Sequence, residues 1–176
     1  LQASVDDAWS GVDTENATLV TDFPRETVIE ADETFLRRLL ENLYRNAVEH
    51  AGLEPTVRVS LIEDGFTVSD DGPGIPADER EDALYAGYTT ADDGTGFGLS
   101  IVERIAGVHG WQLRVTEATA TDDGGAQFEF TNVAVGTDPE QARPESGVAA
   151  DDGAAADDGA DWAGGMHVPE ENSEAS

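Results

Sequence analysis

The 176-residue chain contains neither cysteine nor lysine. Without cysteine it can form no disulfide, thiolate nucleophile or Cys-ligated zinc or iron–sulfur site. Without lysine it lacks the phosphate-binding lysine of a P-loop, the strand lysine of a protein kinase and Schiff-base chemistry. It also lacks an apolar run of about 18 residues, so this segment is expected to make no membrane contact. The acidic start LQASVDDAWS has no apolar core typical of a signal peptide, and we expect a cytoplasmic location.

Basic charge is scarce as well. Nine arginines stand against 38 acidic residues, and the formal net charge is −29. Nine scattered arginines cannot form a basic patch that would hold duplex nucleic acid, so no direct nucleic-acid partner is expected. The acidic bias resembles that of proteins from salt-accumulating halophilic archaea, where molar salt shortens the Debye length to about 3 Å and makes a self-repelling surface tolerable. The charge therefore indicates habitat more than function.

Composition divides the chain into two regions. Residues 137–176 consist mainly of Asp, Glu, Ala, Gly and Pro, with 11 acidic residues and one Arg. Such a segment cannot bury enough apolar surface to offset the entropy lost on ordering, which predicts a disordered acidic tail. Trp162 and Met166 leave open a short docking motif within it. Residues 1–136 carry regular apolar patterning and are predicted to form one folded domain.

The folded region alternates helical and strand patterns. Helical spacing of apolar residues is clearest over 33–50, where Asp32 stands at the N-cap position. Alternating residues on both sides of Asp64 and Gly65 predict a β-hairpin. The expected helices are 1–9, 33–50 and 96–108, and the expected strands are 17–20, 27–30, 57–61, 66–68, 111–115 and 128–130. This order predicts an α+β fold, a two-layer sandwich whose mixed, largely antiparallel sheet is covered by helices on one face.

The first cluster of residues that could bind a ligand is a pair of asparagines. Asn42 and Asn46 are four residues apart on the predicted helix and therefore share a face, at the edge of its apolar stripe. Neutral amide oxygens suit a hard cation such as Mg²⁺, which keeps several waters and bridges phosphates. Taken alone, the pair is more typical of two surface asparagines.

The second cluster follows the hairpin. Asp70 stands at a strand end, and Gly72 and Gly74 come directly after it. A carboxylate in that position can accept a hydrogen bond from an exocyclic amine, while glycines let the backbone approach a flat ring. The other interpretation is an ordinary acidic turn, since Asp-Gly and Gly-Pro pairs form turns in many proteins.

The third cluster opens the last helix. Gly94, Gly96 and Gly98 precede or begin it, so that backbone N–H groups and the helix dipole could face a phosphate. This glycine pattern is weak by itself. The segment YAGYTT at 85–90 stands before it and could act as a lid.

In this order, the three clusters resemble the ATP-binding catalytic domain of sensor histidine kinases, in the superfamily shared with DNA gyrase and MutL. ENLYRNAVEH is similar to the N box, VSDDGPGIP to the first glycine box and GTGFGLSIV to the second. AGYTT stands where the lid-flanking aromatic box is expected, and GGAQFEF resembles the closing strand. The resemblance covers about residues 1–133 and implies the Bergerat-type ATP-binding sandwich, with a mobile lid.

The resemblance implies ATP and Mg²⁺ as ligands. It makes Asn46 the metal ligand with Asn42 in support, and Asp70 the acceptor for the adenine amino group. Gly72 and Gly74 would let the ring lie flat, and the later glycines would hold the phosphates beneath the lid. The residues it places around ATP are Asn42, Asn46, Asp70, Gly72, Gly74, Tyr88, Thr89, Thr90, Gly94, Thr95, Gly96, Gly98 and Leu99.

One departure concerns phosphate neutralisation. Members of the family often carry a Lys three residues beyond the metal Asn, where this chain has Glu49. Mg²⁺, backbone N–H groups and Arg45 are left to neutralise the phosphates. Arg45 has an alternative role, because Glu41, Arg45 and Glu49 are spaced at four residues like an ordinary surface ion-pair ladder, which is the favoured reading.

The resemblance also bears on the reaction. Branches of the superfamily that hydrolyse ATP place a Glu, a potential general base, four residues before the metal Asn, and this chain has Asn42 there. That favours phosphoryl transfer to a histidine. His50, His109 and His167 are not followed by an acidic residue, as an acceptor would be, so no catalytic residue is assigned in this chain. His50 and His109 are instead expected to be cations at helix C-termini.

The expected partners are therefore an upstream helical dimerisation domain that carries the acceptor histidine and, through it, the receiver domain of a response regulator. Two alternatives remain open: a non-catalytic nucleotide-binding module and a stand-alone ATPase. Phosphate release without an acceptor would favour the ATPase, and phosphate on a histidine of a supplied helical domain would favour the kinase.

Overall fold

The computed structural model describes residues 1–14, 16–84, 98–118 and 124–137. Its α-helices are α1 Gln2–Ser10, α2 Glu33–His50 and α3 Gly98–Val108. Its strands are β1 Thr18–Asp22, β2 Thr27–Ile29, β3 Thr56–Ile62, β4 Gly65–Asp70, β5 Gln112–Glu117, β6 Ala126–Thr131 and β7 Val135–Thr137. A 3₁₀ turn covers Asp82–Leu84. The described helices are all too short or too polar to cross a membrane.

Five of the strands form one mixed sheet. Their order is β1-β3-β4-β6-β5. β1 and β3 are parallel, whereas the pairs β3–β4, β4–β6 and β6–β5 are antiparallel. The predicted α+β class with a largely antiparallel sheet is confirmed, and the predicted hairpin is β3–β4.

A small second sheet pairs β2 with β7, and Val28 lies opposite Gly136. β7 was not predicted from the sequence, and it crosses the predicted boundary after residue 136 by one residue. All described residues belong to one compact unit. The N-terminal amine of Leu1 donates to the carbonyl of Thr27 at 3.0 Å, so the start of the chain lies against β2. The predicted tail lies outside the described residues beyond residue 137.

The helices pack on one face of the five-stranded sheet. Phe66 on β4 lies opposite Phe130 on β6, and their rings stack with centroids 4.7 Å apart. Trp111 meets the Phe66 ring edge-on at 5.8 Å. The apolar face of α2 buries Leu36, Leu39, Leu40, Leu43, Tyr44 and Ala47 in the same core. This packing fixes α2 against the sheet and leaves the polar edge of the helix to face α3.

The N-terminus of α2 is tied to the C-terminus of α3. Asp32 caps α2, as predicted, by accepting from the N–H of Phe35 at 3.0 Å, a contact that stabilises a helix by about 1 kcal/mol. The N–H of Asp32 donates to Nε2 of His109 at 3.0 Å, while Nδ1 of His109 contacts the carbonyl of Ile105 at 2.8 Å.

These two hydrogen bonds determine which ring nitrogen of His109 carries the proton. Because Nε2 of His109 accepts a hydrogen bond, the proton that donates to the Ile105 carbonyl must be on Nδ1, and the ring is neutral. The prediction that His109 is a cation facing the helix dipole is therefore wrong. The contact also shows that α2 and α3 are antiparallel, since the start of one lies beside the end of the other.

Candidate functional site

The two asparagines converge on the first residue of α3. Asn42 is 8% exposed, and its Nδ2 donates to the carbonyl of Arg38 at 2.7 Å. This bond leaves its Oδ1 to face the neighbouring helix. A Cβ added to Gly98 would lie 3.7 Å from Oδ1 of Asn42 and 3.1 Å from Oδ1 of Asn46. The structure thus brings together three residues that the sequence placed in two separate motifs.

The donor set at this point fits a hard cation. The side chain of Asn46 makes no hydrogen bond with any described residue, so the lone pairs of its Oδ1 are available. The start of α3 adds the positive end of the helix dipole, which favours phosphate. Within the described ranges no three His, Asp or Glu side chains cluster as a carboxylate or imidazole metal centre would require. The cradle at Gly98 therefore suits Mg²⁺ that also coordinates water and phosphate oxygens.

Arg45 does not take part in the expected ladder. Glu41 pairs with Arg37 one turn earlier, at 3.4 Å, and its Oε1 lies 3.0 Å from the position of a Cβ on Gly11. Side chains on a helix lean towards its N-terminus, which carries Glu41 towards Arg37 and α1. The predicted ladder is wrong, and exposed Arg45 has no ion-pair partner among the described residues.

Asp70 ends β4 at the other side of the site. Its Oδ1 accepts from the N–H groups of Gly72 at 2.9 Å and Ala126 at 3.3 Å. Oδ2 has no hydrogen bond with a described residue and is left to accept from a ligand. Burial raises the pKa of the Asp70 carboxyl above its ordinary value; the two N–H groups and His50 oppose that rise, and Asp71 adds to it. Asp70 is therefore an oriented, largely desolvated acceptor.

The glycines of the loop after β4 have a packing role that the sequence did not reveal. A Cβ on Gly72 would lie 2.7 Å from Cα of Ala51, at the end of α2. Gly74 has φ +72°, and its Cβ would lie 3.0 Å from the carbonyl oxygen of Gly125. Both glycines let the loop pack closely between α2 and the segment before β6. Their predicted contact with a flat ring stays a prediction.

Two further side chains hold this loop in place and were not assigned to the site. Oδ1 of Asp71 accepts from the N–H of Thr56 at 2.8 Å, which ties the loop to β3. Nε of Arg80 donates to the carbonyl of Ile75 at 2.8 Å, and its Nη2 lies 3.9 Å from the carboxylate of Glu117. In the sequence, only the position of Asp71 next to Asp70 could have indicated that it contributes to this loop.

The other predicted ligand contacts fall into two groups. Leu99 is partly buried and packs against the core, so its side chain supports α3. The remaining residues of the lid and second glycine box lie outside the described residues: Tyr88, Thr89, Thr90, Gly94, Thr95 and Gly96. Among the residues predicted for the phosphate side, the structure brings together Asn42, Asn46 and Gly98.

Comparison with known sequences agrees with this geometry. The family described as histidine kinase-, DNA gyrase B- and HSP90-like ATPase matches residues 31–134. The sensor histidine kinase ZraS of Salmonella typhimurium is 39% identical over 92 residues, which cover 49% of this chain and 20% of ZraS. The adaptive-response sensory kinase SasA of a Synechococcus strain is 27% identical over 140 residues, which cover 74% of this chain and 36% of SasA. The chain thus spans about a fifth to a third of the curated relatives it matches.

Solved structures share the fold. The mycobacterial sensor histidine kinase MprB superposes with a TM-score of 0.65 at 25% identity, covering 77% of this chain and 94% of that chain. Full-length ShkA in complex with AMPPNP superposes with a TM-score of 0.61 at 27% identity, covering 78% of this chain and 31% of that chain. The predicted sandwich fold and the family resemblance are both confirmed.

Proposed function

Since this chain belongs to the family of histidine kinase-, DNA gyrase B- and HSP90-like ATPases, we propose that residues 1–136 bind ATP with Mg²⁺ and transfer its γ-phosphoryl group to a histidine. That histidine lies on a separate helical dimerisation domain, upstream of this chain. The protein is then the catalytic half of a two-component sensor histidine kinase. The observation that carries the proposal is the convergence of Asn42 and Asn46 on Gly98, at the N-terminus of α3.

Each end of the site has its own task. Oδ2 of Asp70 accepts from the adenine amino group, while its Oδ1 is held by two backbone N–H groups. At the other end, Oδ1 of Asn46 holds Mg²⁺, and Asn42 is oriented by its bond to the Arg38 carbonyl. Mg²⁺, when bound, neutralises phosphate charge. Exposed Arg45 adds the one guanidinium group of the N-box segment 41–50, which has no lysine.

Asn42 favours histidine as the acceptor. A hydroxyl or a water needs a base to remove its proton, and an amide cannot serve as that base. A neutral imidazole attacks through a nitrogen lone pair that carries no proton. The new N–P bond forms as the bond between the γ-phosphorus and the leaving oxygen of ADP breaks. A site that has an amide at position 42, where the ATP-hydrolysing branches carry a carboxylate, therefore suits transfer to histidine.

The site is tested by titrating a fluorescent ATP analogue into the chain in molar KCl, with and without Mg²⁺. Asn46→Ala is expected to remove the Mg²⁺ dependence of the affinity, because it removes the amide oxygen at Gly98. Asn16→Ala is the matched control, since Asn16 is an exposed turn residue outside the site. Equal Mg²⁺ dependence in all three chains would contradict the metal assignment.

The reaction is tested with ATP labelled at the γ-phosphate and a helical domain supplied from a related sensor kinase. Label on a histidine of that domain supports the kinase. Inorganic phosphate released without any acceptor would support a stand-alone ATPase instead. Tight ATP binding with neither product would support a non-catalytic nucleotide-binding module.

The setting of the domain follows from the same proposal. The phosphorylated helical domain would pass its phosphoryl group to an aspartate of a response regulator, on the cytoplasmic side where ATP is present. The net charge of −29, with no lysine, supports a salt-rich halophilic and archaeal setting. There, a self-repelling acidic surface is screened.

A further inference from the structure

The two backbone N–H groups that hold Oδ1 of Asp70 come from two separate segments of the chain. The N–H of Gly72, at 2.9 Å, belongs to the loop after β4, and the N–H of Ala126, at 3.3 Å, belongs to the first residue of β6. The orientation of the carboxylate therefore depends on the distance between that loop and the start of β6. The β4–β6 ladder ends at Ser69 and Gln127, before either donor, so contacts outside the ladder set this distance.

Backbone packing supplies some of these contacts. A Cβ on Gly74 would lie 3.0 Å from the carbonyl oxygen of Gly125, and a Cβ on Gly125 would lie 1.9 Å from the carbonyl oxygen of Asp70. The three backbones are thus in close contact beside the Asp70 carboxylate. Such contact limits how near the segments can approach, but dispersion between so few atoms holds them together only weakly.

Arg80 holds the same two segments together. Its Nε donates to the carbonyl of Ile75, in the loop, at 2.8 Å, and its Nη2 lies 3.9 Å from the carboxylate of Glu117 on β5. Glu117 is the β5 residue directly opposite Ala126 in the β5–β6 pair. One guanidinium group therefore connects the loop that carries Gly72 to the strand pair that carries Ala126.

The local backbone fixes the position of Arg80. The N–H of Glu79 donates to the carbonyl of Pro76 at 2.9 Å, and the N–H of Ala83 donates to the carbonyl of Glu79 at 2.8 Å. Arg80 therefore lies within two successive hydrogen-bonded turns, which buried Ala83 anchors to the domain. The Arg80 side chain is itself only 26% exposed. The sequence has no other basic residue over 59–103, so no neighbouring cation can take its place.

We propose that Arg80 is a positioning residue for the ligand-binding carboxylate of Asp70. By holding the loop after β4 to the β5–β6 pair, it keeps both N–H donors on Oδ1 and leaves Oδ2 to accept from the ligand. It acts through Ile75 and Glu117, and a guanidinium suits this task because its planar N–H groups reach two acceptors in a fixed geometry, which one ammonium cannot do. The inference rests on the proposed function only in the identity of the ligand, a purine whose exocyclic amino group donates to Asp70.

The first test needs no ligand and uses amide NMR spectra of the full 176-residue chain. A backbone amide that donates to a carboxylate changes its chemical shift when that hydrogen bond lengthens. Arg80→Ala is therefore expected to shift the amide signals of Gly72 and Ala126. Arg25→Ala is the matched control, because Arg25 is exposed, lies between β1 and β2, and makes the same change in net charge. Signals of Gly72 and Ala126 that move no more in Arg80→Ala than in the control would overturn the inference.

The second test measures what the ligand gains from the carboxylate. Kd is measured by calorimetry in molar KCl with Mg²⁺, for ATP and for purine riboside triphosphate, which lacks the exocyclic amino group. Arg80→Ala should weaken ATP binding roughly three- to tenfold, because the hydrogen bond to Oδ2 loses its alignment, and should change the Kd of the analogue by less than about twofold. Arg80→Lys keeps the charge and one donor and should restore part of the preference for ATP.

The two titrations separate this inference from the proposed function. Equal weakening of both nucleotides in Arg80→Ala, or an unchanged preference for ATP, refutes the role of Arg80 and leaves ATP binding intact. A parent chain that binds neither nucleotide, or that does not prefer ATP, refutes the adenine contact, and the amide signals then decide alone whether Arg80 positions Asp70. If Arg80→Ala does not fold, Arg80→Lys and Glu117→Ala replace it, and a parent-like preference for ATP in both refutes the inference.

Discussion

Replacing Asp70 by asparagine changes the end of β4 in a way that should weaken ATP binding and strengthen the fold. The asparagine Oδ1 can still accept from the N–H groups of Gly72 and Ala126, at the positions the carboxylate now occupies. The flipped orientation is disfavoured, because it would set an NH₂ group against those two donors. The NH₂ group therefore replaces Oδ2 and meets the adenine amino group as a second donor.

The loss of affinity can be scaled from one hydrogen bond. A hydrogen bond to a charged group contributes about 1.5–3 kcal/mol, so Kd for ATP should rise roughly 10- to 150-fold in Asp70→Asn. Affinity should also depend on pH in the parent chain, because protonation of Asp70 removes the acceptor. Burial raises the pKa of Asp70, and ATP affinity is therefore lost as pH falls through that raised value. The asparagine variant should show no such loss.

The change in stability has the opposite sign. Because burial raises the pKa of Asp70, the folded chain binds this proton more tightly than the unfolded chain does. The free energy of unfolding of the parent therefore falls as pH rises from the ordinary value to the raised value, and it stays lowered at neutral pH. Asparagine carries no charge to desolvate, so the variant should melt at a higher temperature at pH 7. The difference should disappear below the ordinary pKa of Asp.

Both results can be measured on the same samples, by ATP titration and by thermal unfolding across pH. Asp71→Asn is the matched control, since it removes the neighbouring carboxylate while its Oδ1 can keep the bond to the Thr56 N–H on β3. The control should bind ATP within about twofold of the parent. Parent-like ATP binding by Asp70→Asn would refute the adenine assignment. A lower melting temperature at pH 7 would refute the account of a costly buried charge.

The other predictions concern the phosphate end, the helix link and the surface charge. Gly98→Ala places a Cβ 3.1 Å from Oδ1 of Asn46 and should lower Mg²⁺-ATP affinity roughly tenfold, about 1.4 kcal/mol, with no loss of melting temperature; unchanged affinity would contradict the cradle. His109→Phe removes the acceptor for the Asp32 N–H and should lower the free energy of unfolding in urea by about 1–2 kcal/mol; an unchanged midpoint would refute the link. Glu49→Lys puts the cation that the family often carries at an exposed position of α2 and should raise ATP affinity about threefold in a titration; unchanged affinity would refute a phosphate-side role for position 49. The melting temperature should rise with KCl, since salt screens a net charge of −29; a flat or falling curve would refute self-repulsion.

Much of the fold could be predicted because buried apolar residues recur in the sequence with the period of a helix or of a strand. The apolar spacing of α2 and its cap at Asp32 predicted the helix bounds, and the alternation around Gly65 predicted the β3–β4 hairpin. β7 could not be predicted in this way, because a three-residue strand is too short to show alternation of apolar and polar residues. Its partner β2 is also distant in the chain. The parallel pairing of β1 with β3 could not be predicted either, because the spacing of apolar residues identifies a strand but does not show which strand it pairs with.

The residue types of the site could be predicted, but their contacts could not. Spacing on one helix was enough to place Asn42 and Asn46 on one face. It could not show that Glu41 turns to Arg37, because α1 and its cap glycine decide that direction. Nor could it show that His109 is neutral, because the deciding donor is the N–H of Asp32 on another helix.

α2 connects the parts of the site more directly than the separate motifs suggest. Its N-terminus is hydrogen-bonded to His109 at the end of α3, its C-terminal half carries the asparagines that approach Gly98, and Ala51 at its end packs against Gly72 in the loop after β4. The core holds this helix on the sheet. The proposed adenine acceptor and the proposed phosphate cradle are therefore positioned by the same helix. Because one helix held by the core contacts both ends of the proposed nucleotide site, the distance between those ends is set by the packing of the fold, as the positioning of a γ-phosphoryl group for transfer requires.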